Sequence, residues 1–284
     1  MLGHKMLQVL GDRFSDVRGT VRGRADQLLP GAITERWGKQ ILEGVDTTRL
    51  EELDQLLLSL RPRVIVNCVG TIKQRAEARD AIASITINSL LPHRLAAIAE
   101  QWGGRVVHFS TDCVFSGAKG SYTESDPSDA LDLYGRSKFL GEISGPNSVT
   151  IRTSIIGREL SHHTSLLDWF LAQKGKTIRG FSRSCWSGVT TLHLSHVVAQ
   201  LIEGHPGLSG LFQLSSGRIS KYELLLMLKE AYAMRVTIEK DDSFVCDRSL
   251  SGDLFSATTG YSFPGWPVLL RDLVTDPTIY DGTN

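Results

Sequence analysis

The chain has 284 residues, enough to bury a substantial core in one large domain or two small ones. Lys plus Arg and Asp plus Glu balance at 31 each, and no basic block or tail marks a nucleic-acid polymer as a partner. No apolar run reaches the roughly 18–20 residues that span a bilayer, and the N-terminus lacks the pattern of a signal peptide, so a cytoplasmic protein with no membrane partner is expected.

In chain order, residues 1–10 carry the spacing of an amphipathic helix. Residues 16–23 and 39–42 are strand candidates, and the second is followed by Gly44-Val45-Asp46-Thr47-Thr48. Asp46 or Thr47 is placed to cap a helix through Leu50, Leu53, Leu56 and Leu57. The apolar run in 63–70 suits a parallel strand buried on both faces, ending in Asn67-Cys68-Val69-Gly70, small enough for a ligand to approach. A helix follows with Ile85, Leu91, Leu95 and Ile98 on one face, interrupted by Asn88, a residue unfavourable inside helices unless it finds a partner.

Val106 to Phe109 reads as another buried strand, stopping at Ser110-Thr111-Asp112. Two hydroxyls and a carboxylate thus sit at a strand's C-terminal end, the edge where open parallel sheets bind ligands. A polar loop leads to Tyr134-Gly135-Arg136-Ser137-Lys138. In a helix over 133–143, Tyr134 and Lys138 share one face. An ammonium beside a phenol favours phenolate, so the pair predicts a tyrosine of lowered pKa that can give or take a proton. Beyond it come a strand at 148–153, a helix at 166–171, a polar and aromatic loop at 182–191, a helix at 193–203, a strand at 211–214 and a helix at 221–232. Cys68, Cys113, Cys185 and Cys246 are far apart and share no metal-ligand spacing, so free thiols and no metal are expected. The adjacent His162 and His163 point different ways along the chain and are expected in a mobile loop near the substrate rather than on a metal.

The stretch STDCVFSG followed by YGRSK resembles the active-site region of extended short-chain dehydrogenases/reductases, and among them the dTDP-4-dehydrorhamnose reductase group, which reduces 4-keto nucleotide sugars. The resemblance covers nearly the whole chain. It implies an α/β fold, a Rossmann-type doubly wound parallel sheet in residues 1–155 and a smaller substrate-binding region in 156–284 that packs in part on the first. It also implies a strand and a Gly-x-x-Gly-x-x-Gly turn before the opening helix, of which only Gly3 is present. A start assigned too late, a fragment, or a shortened protein with impaired cofactor binding would each account for the missing first strand.

By the same resemblance Tyr134 protonates the substrate carbonyl oxygen, Thr111 hydrogen-bonds it, and Lys138 holds the nicotinamide ribose and tunes Tyr134. Gly3, Asn67, Cys68 and Val69 would line the cofactor, Asp46 would meet its adenine, and Asn88 would support Lys138 through water. Arg22 and Arg24, with no preceding carboxylate, favour NADPH, with NADH as the alternative. Cys113 is expected to line the substrate pocket. Arg183 suits a diphosphate and Trp186 a nucleotide base. The expected activity is NADPH-dependent reduction of a 4-keto nucleotide sugar in deoxysugar or surface-polysaccharide synthesis, with a homodimer allowed. A UDP-2-acetamido-4-keto sugar is the alternative substrate, motivated by Cys113 and the departure from the family pattern at 71–74. A non-catalytic subunit, like the regulatory subunit of methionine adenosyltransferase, is the alternative of another class.

Overall fold

A computed structural model describes residues 1–72 and 80–280. Its first half runs α1 (Leu2–Arg13), β1 (Gly19–Thr20), α2 (Ala25–Leu28), α3 (Gly31–Trp37), β2 (Ile41–Leu42), α4 (Leu50–Leu60), β3 (Val64–Asn67), α5 (Ala81–Ser84), a π-helical turn (Ile85–Leu90), α6 (Leu91–Glu100), β4 (Arg105–Ser110), α7 (Leu133–Leu140), β5 (Ser148–Arg152) and β6 (Ile155–Ile156). The second half runs α8 (Leu166–Leu171), β7 (Thr177–Phe181), β8 (Ser184–Trp186), β9 (Val189–Thr190), α9 (Thr191–Gly204), β10 (Gly210–Gln213), β11 (Ile219–Ser220), α10 (Lys221–Ala231), β12 (Thr237–Asp241), β13 (Cys246–Asp247), α11 (Asp253–Thr259) and α12 (Trp266–Val274).

The main sheet is parallel, in the order β10-β5-β4-β3. Every residue of β4 and β5 is buried, as expected of parallel strands covered on both faces. One core joins Val107, Phe109, Val149, Ile151 and Phe212 of this sheet to Leu2, Met6, Val9 and Leu10 of α1 and to Val197, Val198 and Leu201 of α9. Those α1 positions recur at helical spacing, which is why the opening helix lies against the sheet. Arg105 is buried at the start of β4, and its guanidinium donates to the carbonyls of Leu201 (3.3 Å) and Leu208 (2.7 Å). A cation at the last turn of α9 thus satisfies a carbonyl the helix leaves open and fixes α9 under the sheet.

β1 and β2 pair with each other in parallel but with no strand of the main sheet. In the doubly wound order 3-2-1-4-5-6 one strand would lie between β1 and β3. Among the described residues nothing strand-like precedes α1, and β3 keeps partial exposure at Val64, Ile65 and Val66 where β4 has none. The strand expected at 16–23 shrinks to two residues for the same reason: a strand needs neighbours, and β1 has one.

A second core gathers Phe170, Trp186, Leu224, Leu225, Leu228, Trp266 and Leu269 around the antiparallel and parallel ladder β11-β8-β13 and the helices α8, α10 and α12. Half of the segment expected as a loop at 182–191 is therefore strand, β8 and β9, whose partners lie far along the chain. Past α12 the chain returns to the first two turns of α1. Lys5 is buried against Asp276 (2.5 Å), Gln8 donates to Thr278 (3.1 Å), and His4 meets the Tyr280 hydroxyl (3.0 Å). Burial pushes His4 down to about 2, so it is neutral in this contact. No helix among the described residues is long and apolar enough to cross a membrane.

Candidate active site

Thr111 follows β4 directly and caps a short 3-10 turn (Asp112–Val114), its Oγ1 accepting from the Cys113 amide at 3.1 Å. Asp132 caps α7 by accepting from the Gly135 amide at 3.0 Å. That cap fixes where the helix begins, and so sets Tyr134 and Lys138 one turn apart toward the end of β4. The buried ammonium of Lys138 donates to the Phe109 carbonyl at 2.5 Å, and the Tyr134 phenol lies beside Thr111. The structure therefore brings together the three residues expected to act together.

Two glycines make this approach possible. A Cβ on Gly135 would lie 2.2 Å from the Cys113 carbonyl oxygen, and one on Gly141 would lie 1.9 Å from that of Asn88. Helix α7 is thus wedged between the loop after β4 and the π-helical turn. That turn brings Asn88 inward. Its Oδ1 accepts from the Thr71 amide (2.9 Å), and its Nδ2 donates to the Thr71 carbonyl and the Ser137 hydroxyl (both 3.2 Å). π-turns often mark functional sites. Here the extra residue lets Asn88 tie the end of β3 to the helix carrying Lys138.

The charges differ from the sequence expectation. Burial raises the Tyr134 pKa, Cys113 adds to the rise, and the hydrogen bond from Thr111 opposes it. Burial lowers Lys138 to about 8, opposed by the Glu142 carboxylate. The phenol is raised rather than lowered because its own desolvation dominates. Behind Lys138, Glu142 accepts from Ser110 Oγ (2.7 Å) and is held in a fork by Arg152 Nε and Nη2 (2.7 Å each), a buried pair in register with the end of β4. Neither Glu142 nor Arg152 stands out in the sequence. The one available signal is that Glu142 lies four residues beyond Lys138.

The expected cofactor residues fall at the N-terminus of α1 and the C-terminal end of β3. A Cβ on Gly3 would sit 3.8 Å from Cys68 Cβ, ordinary contact that leaves the helix end open. Asn67 is committed to the fold, with Nδ2 3.1 Å from His108 Nδ1 and Oδ1 accepting from the Val69 amide at 3.1 Å. The turn it shapes leaves Val69 exposed, while burial pushes the Cys68 thiol up to about 12. Arg24 pairs with Asp26, whereas Arg22 is exposed at the end of β1. Asp46 accepts from the Thr48 amide (3.0 Å) and hydroxyl (2.7 Å), bonds that hold its carboxyl below the usual range, with Arg22 contributing less. It caps its own turn and not α4, whose N-cap is Arg49.

Among the expected substrate residues, Cys113 lies beside Thr111, and burial pushes its thiol up to about 12. Trp186 is 3% exposed and packs on Trp266 at 5.3 Å, so it is a core residue rather than a platform for a base. Arg183 is exposed on the turn between β7 and β8. His162 and His163 are exposed with left-handed backbones (φ 71° and 49°), and His163 lies 3.7 Å from Asp168. No group of three His, Cys, Asp or Glu residues among the described residues could hold a metal. Of the expected loop departure at 71–74, Lys73 and Gln74 lie outside the described residues.

The RmlD substrate binding domain family matches residues 27–237, well over half of the chain. The dTDP-4-dehydrorhamnose reductase of Burkholderia thailandensis is 34% identical over 136 residues, 46% of this chain and 41% of that protein. Methionine adenosyltransferase 2 subunit beta of Danio rerio is 35% identical over 88 residues, 31% of this chain and 26% of that protein. Each match thus spans less than half the length of these curated relatives. A solved dTDP-4-dehydrorhamnose reductase of Bacillus anthracis, in complex with NADP, superposes with a TM-score of 0.73 at 19% identity, covering 89% of this chain and 96% of that one. At that identity the likeness bears on the fold, which is the expected α/β one.

Proposed function

The chain belongs to the RmlD substrate binding domain family, and from that premise we propose that it is an NADPH-dependent reductase of a 4-keto nucleotide sugar, acting in the cytoplasm in deoxysugar or surface-polysaccharide synthesis. The observation that carries the reading is the meeting of Thr111, Tyr134 and Lys138 at the C-terminal end of β4. NADPH, when bound, supplies the hydride. Tyr134, neutral over the physiological range because burial raises its pKa, gives its proton to the carbonyl oxygen, and Thr111 orients both. Among the described residues the Lys138 ammonium has one acceptor, the Phe109 carbonyl, which leaves two N–H donors for the nicotinamide ribose. Gly3, Cys68 and Val69 form the open end of α1 and β3 that suits a diphosphate. Residues 1–155 hold the cofactor and 156–284 shape the substrate side.

Arg22 tests the choice of cofactor. Placed at the end of β1, its guanidinium would meet the 2′-phosphate that distinguishes NADPH from NADH. Arg22→Ala should raise the NADPH Kd about tenfold and leave the NADH Kd unchanged, the scale of one charge-assisted contact. Calorimetric titration of both cofactors measures this, and equal loss for both would sink the assignment.

Acid–base behaviour follows from Lys138. The plot of kcat/KM against pH reports groups of the free enzyme. With Lys138 lowered to about 8 and required as the ammonium, kcat/KM should fall as pH rises through about 8. The Glu142 carboxylate favours the charged lysine, so Glu142→Gln should move that limb to lower pH. An unmoved limb would show that another group sets it.

A non-catalytic subunit is a second reading, favoured by the match to methionine adenosyltransferase 2 subunit beta. A UDP-2-acetamido-4-keto sugar is the alternative substrate. It rests on the half-buried Cys113 beside Thr111, a small side chain that leaves room near the reacting carbon.

A further inference from the structure

The ladder β11-β8-β13 delivers two cations to the loop that follows Thr111. Lys221 opens α10 immediately after β11, and its ammonium lies 3.9 Å from the centroid of the Trp186 ring on β8. Arg248, just beyond β13, donates Nε to the Phe115 carbonyl at 2.8 Å and sets Nη1 3.8 Å from Cys113 Sγ. The two segments are in close contact, since a Cβ on Gly117 would fall 2.5 Å from Cys246 Sγ. Lys221 is within electrostatic reach of Asp112 of the 3-10 turn, Cys113 of the same turn and Cys246 of β13. Asp112, the carboxylate among these, is engaged by the Thr111 hydroxyl at 3.2 Å.

Lys221 is half-buried, and among the described residues it has neither a carboxylate within ion-pair distance nor a hydrogen-bond acceptor. Taking an ammonium out of water without an acceptor is costly. A contact with an indole face returns only part of that cost. Trp186 therefore holds the cation in place without satisfying it, and the charge is within electrostatic reach of Cys113, two residues from the hydroxyl expected to meet the substrate carbonyl.

We propose that Lys221 is a specificity-determining residue that receives an oxyanion of the substrate, either the diphosphate of the nucleotide or a carboxylate on the sugar, with Arg248 as the second cation of the same rim. The assignment rests on the nucleotide-sugar reading above. Burial lowers Lys221 to about 8, so an anion seated on it restores the charged form and draws in a proton near that pH.

The test is calorimetric titration of UDP, UDP-glucose and UDP-glucuronate, each alongside its dTDP counterpart, into the full chain at pH 8, in two buffers of different ionisation heat. It is run on the wild type, Lys221→Met and Lys221→Arg. If the diphosphate is the anion, Lys221→Met should bind every ligand about tenfold more weakly. If the carboxylate is, the same loss should appear for the glucuronates alone. In either case the wild type takes up a proton on binding, Lys221→Met does not, and Lys221→Arg restores affinity. A Lys221→Met that binds every ligand as the wild type does overturns the assignment alone. A wild type that binds none of them overturns the nucleotide-sugar reading and the assignment with it.

Discussion

Tyr134→Phe should lower kcat by about 10²–10⁴-fold, the usual worth of a positioned general acid, while NADPH affinity and thermal stability stay within experimental scatter. The phenyl ring keeps the shape that packs beside Thr111 and loses only the proton donor. With the phenol gone, the developing alkoxide has the Thr111 hydroxyl alone, and a neutral hydroxyl cannot release a proton near neutral pH. Single-turnover kinetics with saturating NADPH would separate this from a binding defect, since a true loss of chemistry lowers kcat and leaves KM near its wild-type value. The same variant discriminates between enzyme and scaffold. A non-catalytic subunit would support its partner's activity equally well with phenylalanine at 134.

Arg152→Met is the second large effect, and it falls on stability. Glu142 and Arg152 are almost entirely buried, in a two-pronged contact at 2.7 Å on both prongs. Removing the guanidinium leaves the Glu142 carboxylate with Ser110 as its remaining described partner. Breaking one side of a buried pair typically costs about 3–5 kcal/mol, because the abandoned charge stays desolvated. Urea unfolding should therefore show a midpoint well below the wild type for Arg152→Met. The double variant Arg152→Met/Glu142→Met should recover most of the loss, as apolar replacements of buried pairs often do. If the single variant is as stable as the wild type, the pair does not hold α7 to the end of β4 as described. The double variant should also keep the fold but shift the pH limb set by Lys138, separating the structural role of the pair from its electrostatic one.

Much of this site is local enough to be legible in the sequence. The strand through Val106 and Phe109 announces itself by apolar residues, and Thr111, Tyr134 and Lys138 follow at fixed offsets from it. What the sequence does not carry is pairing at a distance. The segment around Trp186 looks like a polar loop because the strands that make it β8 are 219–220 and 246–247, and only there does Trp186 become part of a core. Lys221 is invisible as a site residue for the same reason, being 110 positions from Thr111. The sign of the Tyr134 shift is not legible in the sequence, because spacing shows that a lysine shares the helix face but not that the fold desolvates the phenol. The glycines at 135 and 141 appear unremarkable in sequence, and their need comes from carbonyl oxygens contributed by other elements.

The measurement that bears most directly on the central claim is NADPH consumption by the purified chain supplied with dTDP-4-dehydrorhamnose, with the sugar product analysed in parallel. The account predicts one NADPH oxidised for each 4-keto group converted to an alcohol, and consumption slowed by at least about a hundredfold in Tyr134→Phe. A chain that binds both NADPH and the nucleotide sugar yet oxidises no cofactor, or one whose turnover persists at the wild-type rate without the Tyr134 hydroxyl, would contradict it.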